Sequence, residues 1–394
     1  MKQRLKLLVP VGLMIITLHS CSKDDNDPSP QPPVVQADIA ALDSKVTTWM
    51  TNSGMPGMSL AVSKNGKLVY RKGYGIGDKE AATAVTNDSR FRMASVSKLI
   101  TSAAIMKLIQ NGSVTMDQKV FGSGALLGTT YGTAPYSANV QNVTVSHLLH
   151  HTSGGWGNAS NDPAFLDYNW TSAQVFNHTL TNIPLTAAPG SVFNYSNFNY
   201  MVLAKIVEKV SGKTYEQFVK DEILTPVGAT QTTMSGNSLA DRKPNEVKYY
   251  GQAGDATWPY DKMNMPRADG AMGWMGTATD LLRFATAVDS SATRPDILNG
   301  ATLKIMASNS PNSSGFGFNF GCGWVIESGE WFWWGSLPGS FGILYRNANG
   351  ICVAALANSR MQPNPTNSLN SFINNVLNYA ALDASIPWQN IDQF

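Results

Sequence analysis

Strand signals lie near the two ends of this chain, and helical ones lie between them. Close to the start, Met58-Ser59-Leu60-Ala61-Val62 and Lys67-Leu68-Val69-Tyr70 flank Asn65-Gly66, a dipeptide suited to a tight hairpin turn. Near the other end, Gly321 to Ile326, Glu330 to Trp334, Phe341 to Arg346 and Ile351 to Ala357 read as strands, with Asn347-Ala348-Asn349-Gly350 turning between the last two. Apolar spacings of three and four predict helices over Ala37 to Met50, Leu99 to Gln110, Met201 to Val210 and Ala278 to Val288. From about 115 to 265, helical stretches alternate with long polar loops. Strands separated in this way share a sheet only if the chain ends meet. The expectation is an α/β (α+β) fold: an antiparallel sheet in which the N-terminal hairpin joins the C-terminal strands, flanked by helices and carrying a mostly helical insert.

The 394 residues suffice for a large core, and 29 basic against 27 acidic side chains give a formal charge of +2. Lys2, Arg4 and Lys6 all precede the first acid, and without them the balance is −1, so no nucleic-acid partner is implied. That basic start, the apolar run Leu7 to Leu18 and Leu18-His19-Ser20-Cys21 read as a secretory signal over 1–20. The run is too short to span a bilayer. Its ending resembles the lipobox of bacterial lipoproteins, which would make Cys21 a lipidated N-terminus in the cell envelope, periplasmic or surface-exposed. Residues 21–36, rich in Asp, Pro and Ser, read as a flexible tether, and 37–394 as the folded domain. Cys322 and Cys352 then remain, either as a disulfide or as two buried thiols.

Within Phe91-Arg92-Met93-Ala94-Ser95-Val96-Ser97-Lys98, a hydroxyl and an amine stand three residues apart at a predicted helix start, on one face. A buried amine with a lowered pKa can take the serine proton, which makes Ser95 and Lys98 candidates for acyl transfer without histidine. The pattern alone is cheap, since Ser20 to Lys23 repeats it in the signal region. Tyr195-Ser196-Asn197 and the glycine-rich Trp334-Gly335-Ser336-Leu337-Pro338-Gly339 follow in order and give it company.

With these motifs the sequence resembles the serine β-lactamase and penicillin-binding protein superfamily, including class C β-lactamases, D-Ala-D-Ala carboxypeptidases and β-lactamase-like esterases. Val145-Ser146-His147-Leu148-Leu149-His150-His151-Thr152-Ser153-Gly154 and Ala271 to Leu281 are similar to further family segments. The resemblance implies Ser95 as nucleophile, Lys98 as its activator, Tyr195 as second base, and Asn197 as holder of a substrate carbonyl or amide. An ammonium near the phenol favours phenolate, so Tyr195 and Lys98 would share protons in a coupled titration, which leaves open which of them is the base. The oxyanion hole would combine the Ser95 N–H with one from the glycine-rich strand.

The third motif departs from the family's Lys-Thr-Gly or His-x-Gly. Aligned on Pro338-Gly339, Trp333 takes the cation's place, Gly335 follows, and Ser336 supplies the N–H. Shifted by one, Trp334-Gly335-Ser336 matches an esterase Trp-Gly-Gly, with Leu337 as donor. We read the first register. Either one removes a side-chain cation for a substrate carboxylate, unless Arg267, Arg346 or Arg360 supplies it. The expected activity is therefore hydrolysis of small esters or amides. Carboxypeptidase, D-peptidase or class C-type β-lactamase activity is one alternative, and a non-catalytic envelope binding protein is another.

His147 and His151 stand four apart but lack the glutamate of a zinc His-Glu-x-x-His, and hydrogen-bonding roles are expected. No metal or other cofactor is expected. No Gly-x-Ser-x-Gly elbow occurs, which argues against a Ser-His-Asp hydrolase.

Overall fold

The computed structural model describes residues 36–158, 162–251, 256–291, 293–310, 312–313, 317–360 and 365–394. The predicted signal segment and all but the last residue of the tether lie outside them. Gln36, assigned to that tether, already belongs to the fold, because its side chain accepts from the Arg71 N–H at 2.7 Å.

The N-terminal hairpin, β1 (Gly57–Lys64) and β2 (Lys67–Asp78), turns at Asn65-Gly66 as expected. A short β3 (Thr83–Ala84) edges it. Two more short strands, β4 (Phe91–Arg92) and β5 (Thr233–Met234), flank β6 (Trp274–Gly276) in a separate antiparallel sheet. The C-terminal strands are β7 (Val325–Glu327), β8 (Glu330–Leu337), β9 (Ser340–Arg346) and β10 (Ile351–Ala357). The main sheet runs β3-β2-β1-β10-β9-β8-β7, and β1 pairs antiparallel with β10 from Met58↔Ala357 to Lys64↔Ile351. The two ends of the fold therefore meet at mid-sheet, as the strand pattern predicts.

Alternation along these strands sorts side chains onto two faces. Leu60 and Val62, Phe341 and Ile343, and Val353 and Ala355 join the helix Ala40–Asn52 and the C-terminal helical segments 365–382 in one core. Ala61, Leu344, Ala354 and Leu356 face the second, larger core, which holds the helix Ser97–Gln110 and the insert. That helix is buried from Ser97 through Met106, so the sheet and the insert enclose it.

Several elements differ from expectation at their ends. The predicted strand Gly321 to Ile326 shrinks to β7, because Gly323 turns the chain at φ +87°. The predicted helix from Met201 begins at Asn197, where Ser196 caps it by accepting from the Asn199 N–H at 3.1 Å. The C-terminal helical segments were not foreseen. Among the described residues, no helix is long and apolar enough to cross a membrane.

Candidate active site

Ser95 lies in a 3₁₀ turn, Ala94–Val96, that leads into the helix Ser97–Gln110, and not in the α-helix the pattern suggested. Ala94 holds φ at +48°, a left-handed conformation that costs a non-glycine residue energy. The turn rests on the inner sheet face, where two glycines admit it. A Cβ on Gly335 would stand 2.5 Å from the Ser95 nitrogen, and one on Gly342 would stand 3.2 Å from the Met93 oxygen. The sheet thus seats Ser95 backbone to backbone.

Lys98 is fully buried, with Nζ 3.2 Å from Ser95 Oγ, 2.7 Å from Asn197 Oδ1 and 2.9 Å from the Ala271 carbonyl oxygen. Among the described residues it makes no ion pair. Desolvation pushes its pKa down to about 7, partly opposed by the Asp162 carboxylate. As a neutral amine it has two N–H donors for the two carbonyl oxygens, and its lone pair is left for the Ser95 hydroxyl. The Asn197 amide is held from its other end by Asp162, whose Oδ2 accepts from Nδ2 at 2.6 Å.

Tyr195 packs its ring under Lys98 Nζ at 4.9 Å and beside Trp333, with ring centroids 5.5 Å apart. Its hydroxyl is buried and makes no hydrogen bond of good geometry among the described residues, and neither does Trp333 Nε1. Burial raises the phenol pKa, opposed by the nearby Ser95 hydroxyl and Trp333 indole. Burial thus acts in the same sense on both groups, favouring a neutral amine beside a neutral phenol. His151 pins the Tyr195 segment at two points. Its backbone oxygen accepts from the Asn194 N–H at 2.7 Å, and its ring Nδ1 accepts from the Ser196 N–H at 3.0 Å.

Trp333 and Gly335 share the inner face, with Trp333 against Tyr195 and Gly335 against Ser95, so Trp333 occupies the position next to the hydroxyls. Trp333 also packs against Phe320 and Trp334, so it is both a core residue and a wall of the site. Among the described residues β7 reaches β8 only at Glu330 to Phe332, which leaves the outer edge of β8 unpaired from Trp333 through Ser336. Of the three arginines considered as substitute cations, Arg267 spends its guanidinium on the carbonyls of Asp167, Trp170, Ala164 and Leu166. Arg346 lies over Trp331, away from Ser95. Arg360 alone stands at the strand end, donating from Nε to Ser336 Oγ at 3.1 Å.

Cys21 lies outside the described residues. Cys322 and Cys352 are separate buried thiols, and Cys322 sits in a turn instead of the expected strand. The helix Val145–Leu149 ends before His151, whose φ is +56°, so His147 and His151 do not share a helical face. His147 caps that helix, and His150 bridges Ser146 Oγ and the Ser308 oxygen. No group of His, Cys, Asp or Glu among the described residues is arranged to hold a metal ion. The sequence reading missed Asp162, the Ala271 carbonyl and the clamp made by His151. Each acts through a polar contact across the fold that no local spacing encodes.

A sheet joined from both chain ends, with a serine and a buried lysine between it and a helical insert, defines a class of acyl-transfer fold. A family model described as Beta-lactamase matches residues 42–377. The chain belongs to the β-lactamase family and is a serine hydrolase. It is 27% identical to penicillin-binding protein 4 of Amycolatopsis lactamdurans over 312 residues, 77% of this chain and 78% of that one. Among solved structures it is similar to an octameric penicillin-binding protein homologue from Pyrococcus abyssi, with a TM-score of 0.68 and 24% identity over 89% of this chain and 80% of that one. A D-stereospecific amidohydrolase from Streptomyces sp. gives 0.67 and 20%, over 87% and 98%. At these identities the two structures speak for the fold.

Proposed function

We propose that the protein hydrolyses small esters or amides through an acyl-enzyme on Ser95. The observation that carries this reading is the buried Lys98 amine, 3.2 Å from Ser95 Oγ, whose other two contacts are both acceptors. Ser95 Oγ attacks the acyl carbon and its proton passes to neutral Lys98. The carbonyl oxygen gains charge between the N–H groups of Ser95 and Ser336, where losing one donor typically costs about 2.7–4 kcal/mol. Tyr195 gives its proton to the leaving group and recovers one from the Lys98 ammonium. Attack by water reverses these transfers and frees the acid. Since Lys98 must be neutral to begin, kcat/KM is expected to rise with pH through about 7.

An acylating ester probe followed by peptide mass spectrometry tests the step, with the adduct expected on Ser95. A protein that turns over esters yet carries no adduct there, even when trapped, would sink the mechanism, and no turnover at all would leave a binding protein. One observation favours a second reading, a D-peptidase or carboxypeptidase acting on carboxylate-bearing substrates: Arg360 lies beside Ser336 with no acidic partner among the described residues. Comparing a nitrophenyl ester, a penicillin and a D-Ala-D-Ala peptide in wild type and Arg360→Ala separates the two. The ester reading expects the nitrophenyl ester to be preferred and Arg360→Ala to be neutral.

We place the enzyme in a bacterial envelope, lipidated at Cys21 and held off the membrane by the Pro- and Asp-rich tether. The mass of the mature N-terminal peptide tests this, and an unmodified Cys21 in the mature protein would exclude it.

A further inference from the structure

Asp162 begins the 3₁₀ turn Pro163–Phe165, and its Oδ1 caps that turn by accepting from the Ala164 N–H at 2.9 Å. Capping alone would be met by serine or asparagine. The second oxygen and the negative charge exceed that need, and burying them is costly. Asp162 is only 9% exposed and forms no ion pair among the described residues. Arg267, which reaches the same turn, is committed to backbone carbonyls. What Oδ2 meets is the Asn197 amide, and beyond that amide stands Lys98.

An asparagine amide between an amine and a carboxylate has only one workable orientation. A carboxylate accepts and cannot donate, so Nδ2 must face Asp162 and Oδ1 must face Lys98. Turned over, the amide would set oxygen against oxygen. We propose that Asp162 is a positioning residue of the catalytic site: through Asn197 it fixes the Lys98 amine toward Ser95, and its charge sets the pH at which that amine becomes neutral. The proposal rests on the reading of Lys98 as the base for Ser95.

Of the acids around Lys98, Asp162 is the one joined to it through a hydrogen-bonded side chain, whereas Asp269, on the segment Asp269–Met272 that carries the Ala271 carbonyl, is paired with Lys205 at 3.5 Å. Tyr195 and Tyr200 present rings at 4.9 and 5.7 Å, and burial raises both phenols. His151 is held neutral by desolvation, with the Lys98 charge acting in the same sense. Ser95, Asn197 and the Ala271 carbonyl are uncharged. Removing the Asp162 charge takes away an attraction that favours the ammonium, so Lys98 would become neutral at lower pH.

The test is the pH profile of kcat/KM for a nitrophenyl ester. Asp162→Asn keeps an acceptor for Asn197 without the charge, and its rising limb should move down by about one unit. Asp162→Ala removes orientation as well, and should lower plateau kcat by about 10²-fold with KM little changed. A folded Asp162→Asn enzyme with an unmoved limb overturns the charge role, and an unchanged Asp162→Ala plateau overturns the positioning role. Asp162→Ser, which keeps the cap, replaces Asp162→Asn if that variant does not fold. Lys98→Met probes the underlying reading separately: if it keeps wild-type turnover and the same rising limb, the base assignment itself is wrong.

Discussion

The two faces of the seven-stranded sheet are built from the same strands and are unlike each other. On one face Trp49, Phe341 and Phe372 pack edge to face, with Leu60, Val62 and Val353 around them. Its principal polar cluster, Asp43 with Tyr70, Tyr74 and Lys72, is fully hydrogen-bonded. The other face buries His150, His151, a lysine that makes no ion pair among the described residues, and the Tyr195 hydroxyl and Trp333 indole, which make no hydrogen bond of good geometry there. Such groups cost stability. The first face is a core of apolar side chains with one satisfied polar cluster, whereas the second, although larger, also encloses the reactive groups.

Ser95→Ala should break the contrast most sharply. Turnover should fall by about 10⁴-fold or more while the urea midpoint stays within error of wild type. Phe372→Ala, on the other face, should cost about 3–5 kcal/mol in urea unfolding with kcat/KM per folded molecule unchanged. A Phe372→Ala enzyme that is stable but slow would mean that the faces are coupled. Gly335→Ala tests where they touch: the added methyl displaces the Ser95 turn and should lower kcat by about 10²-fold with little change in KM.

The smallest effect concerns acid. Burial raises the Asp43 pKa, but hydrogen bonds from Lys72, Tyr70 and Tyr74 outweigh it and hold the carboxyl below its ordinary value. A depressed folded pKa stabilises above the ordinary carboxylate range, and that contribution is lost as pH falls through the folded value. Asp43→Asn should therefore cost about 1 kcal/mol or less near neutrality and converge with wild type in acid, as read by urea midpoints against pH.

The two faces also differ in what the sequence made legible. The sheet was readable because alternation and the Asn65-Gly66 turn are local signals, and β1, β9 and β10 fell where they were expected. The order of Ser95, Lys98, Tyr195 and Asn197 was readable through resemblance, and the fold brings them within contact of one another. The 3₁₀ turn at Ser95 was not, because the room for it is left by Gly335 and Gly342, more than 200 residues further along the chain. Asp162 was also invisible: an acid before a proline reads as an ordinary cap, and only Asn197 Nδ2 at 2.6 Å gives it a further use. The motifs leave open how Lys98 and Tyr195 share protons, because proximity favours the charged pair while burial, a property of the fold, opposes both charges.

The pairing of Met58 with Ala357 sets a schedule for the molecule. Contacts so remote in sequence form late, since a long loop must close before they are rewarded. Ser95 is seated by glycines in β8 and β9, so the serine emerges from the ribosome long before its oxyanion strand exists. Until those last strands dock, the chain carries every catalytic side chain and has no active site. Catalytic competence therefore waits on the last strands of the sheet, although none of the catalytic side chains lies in them.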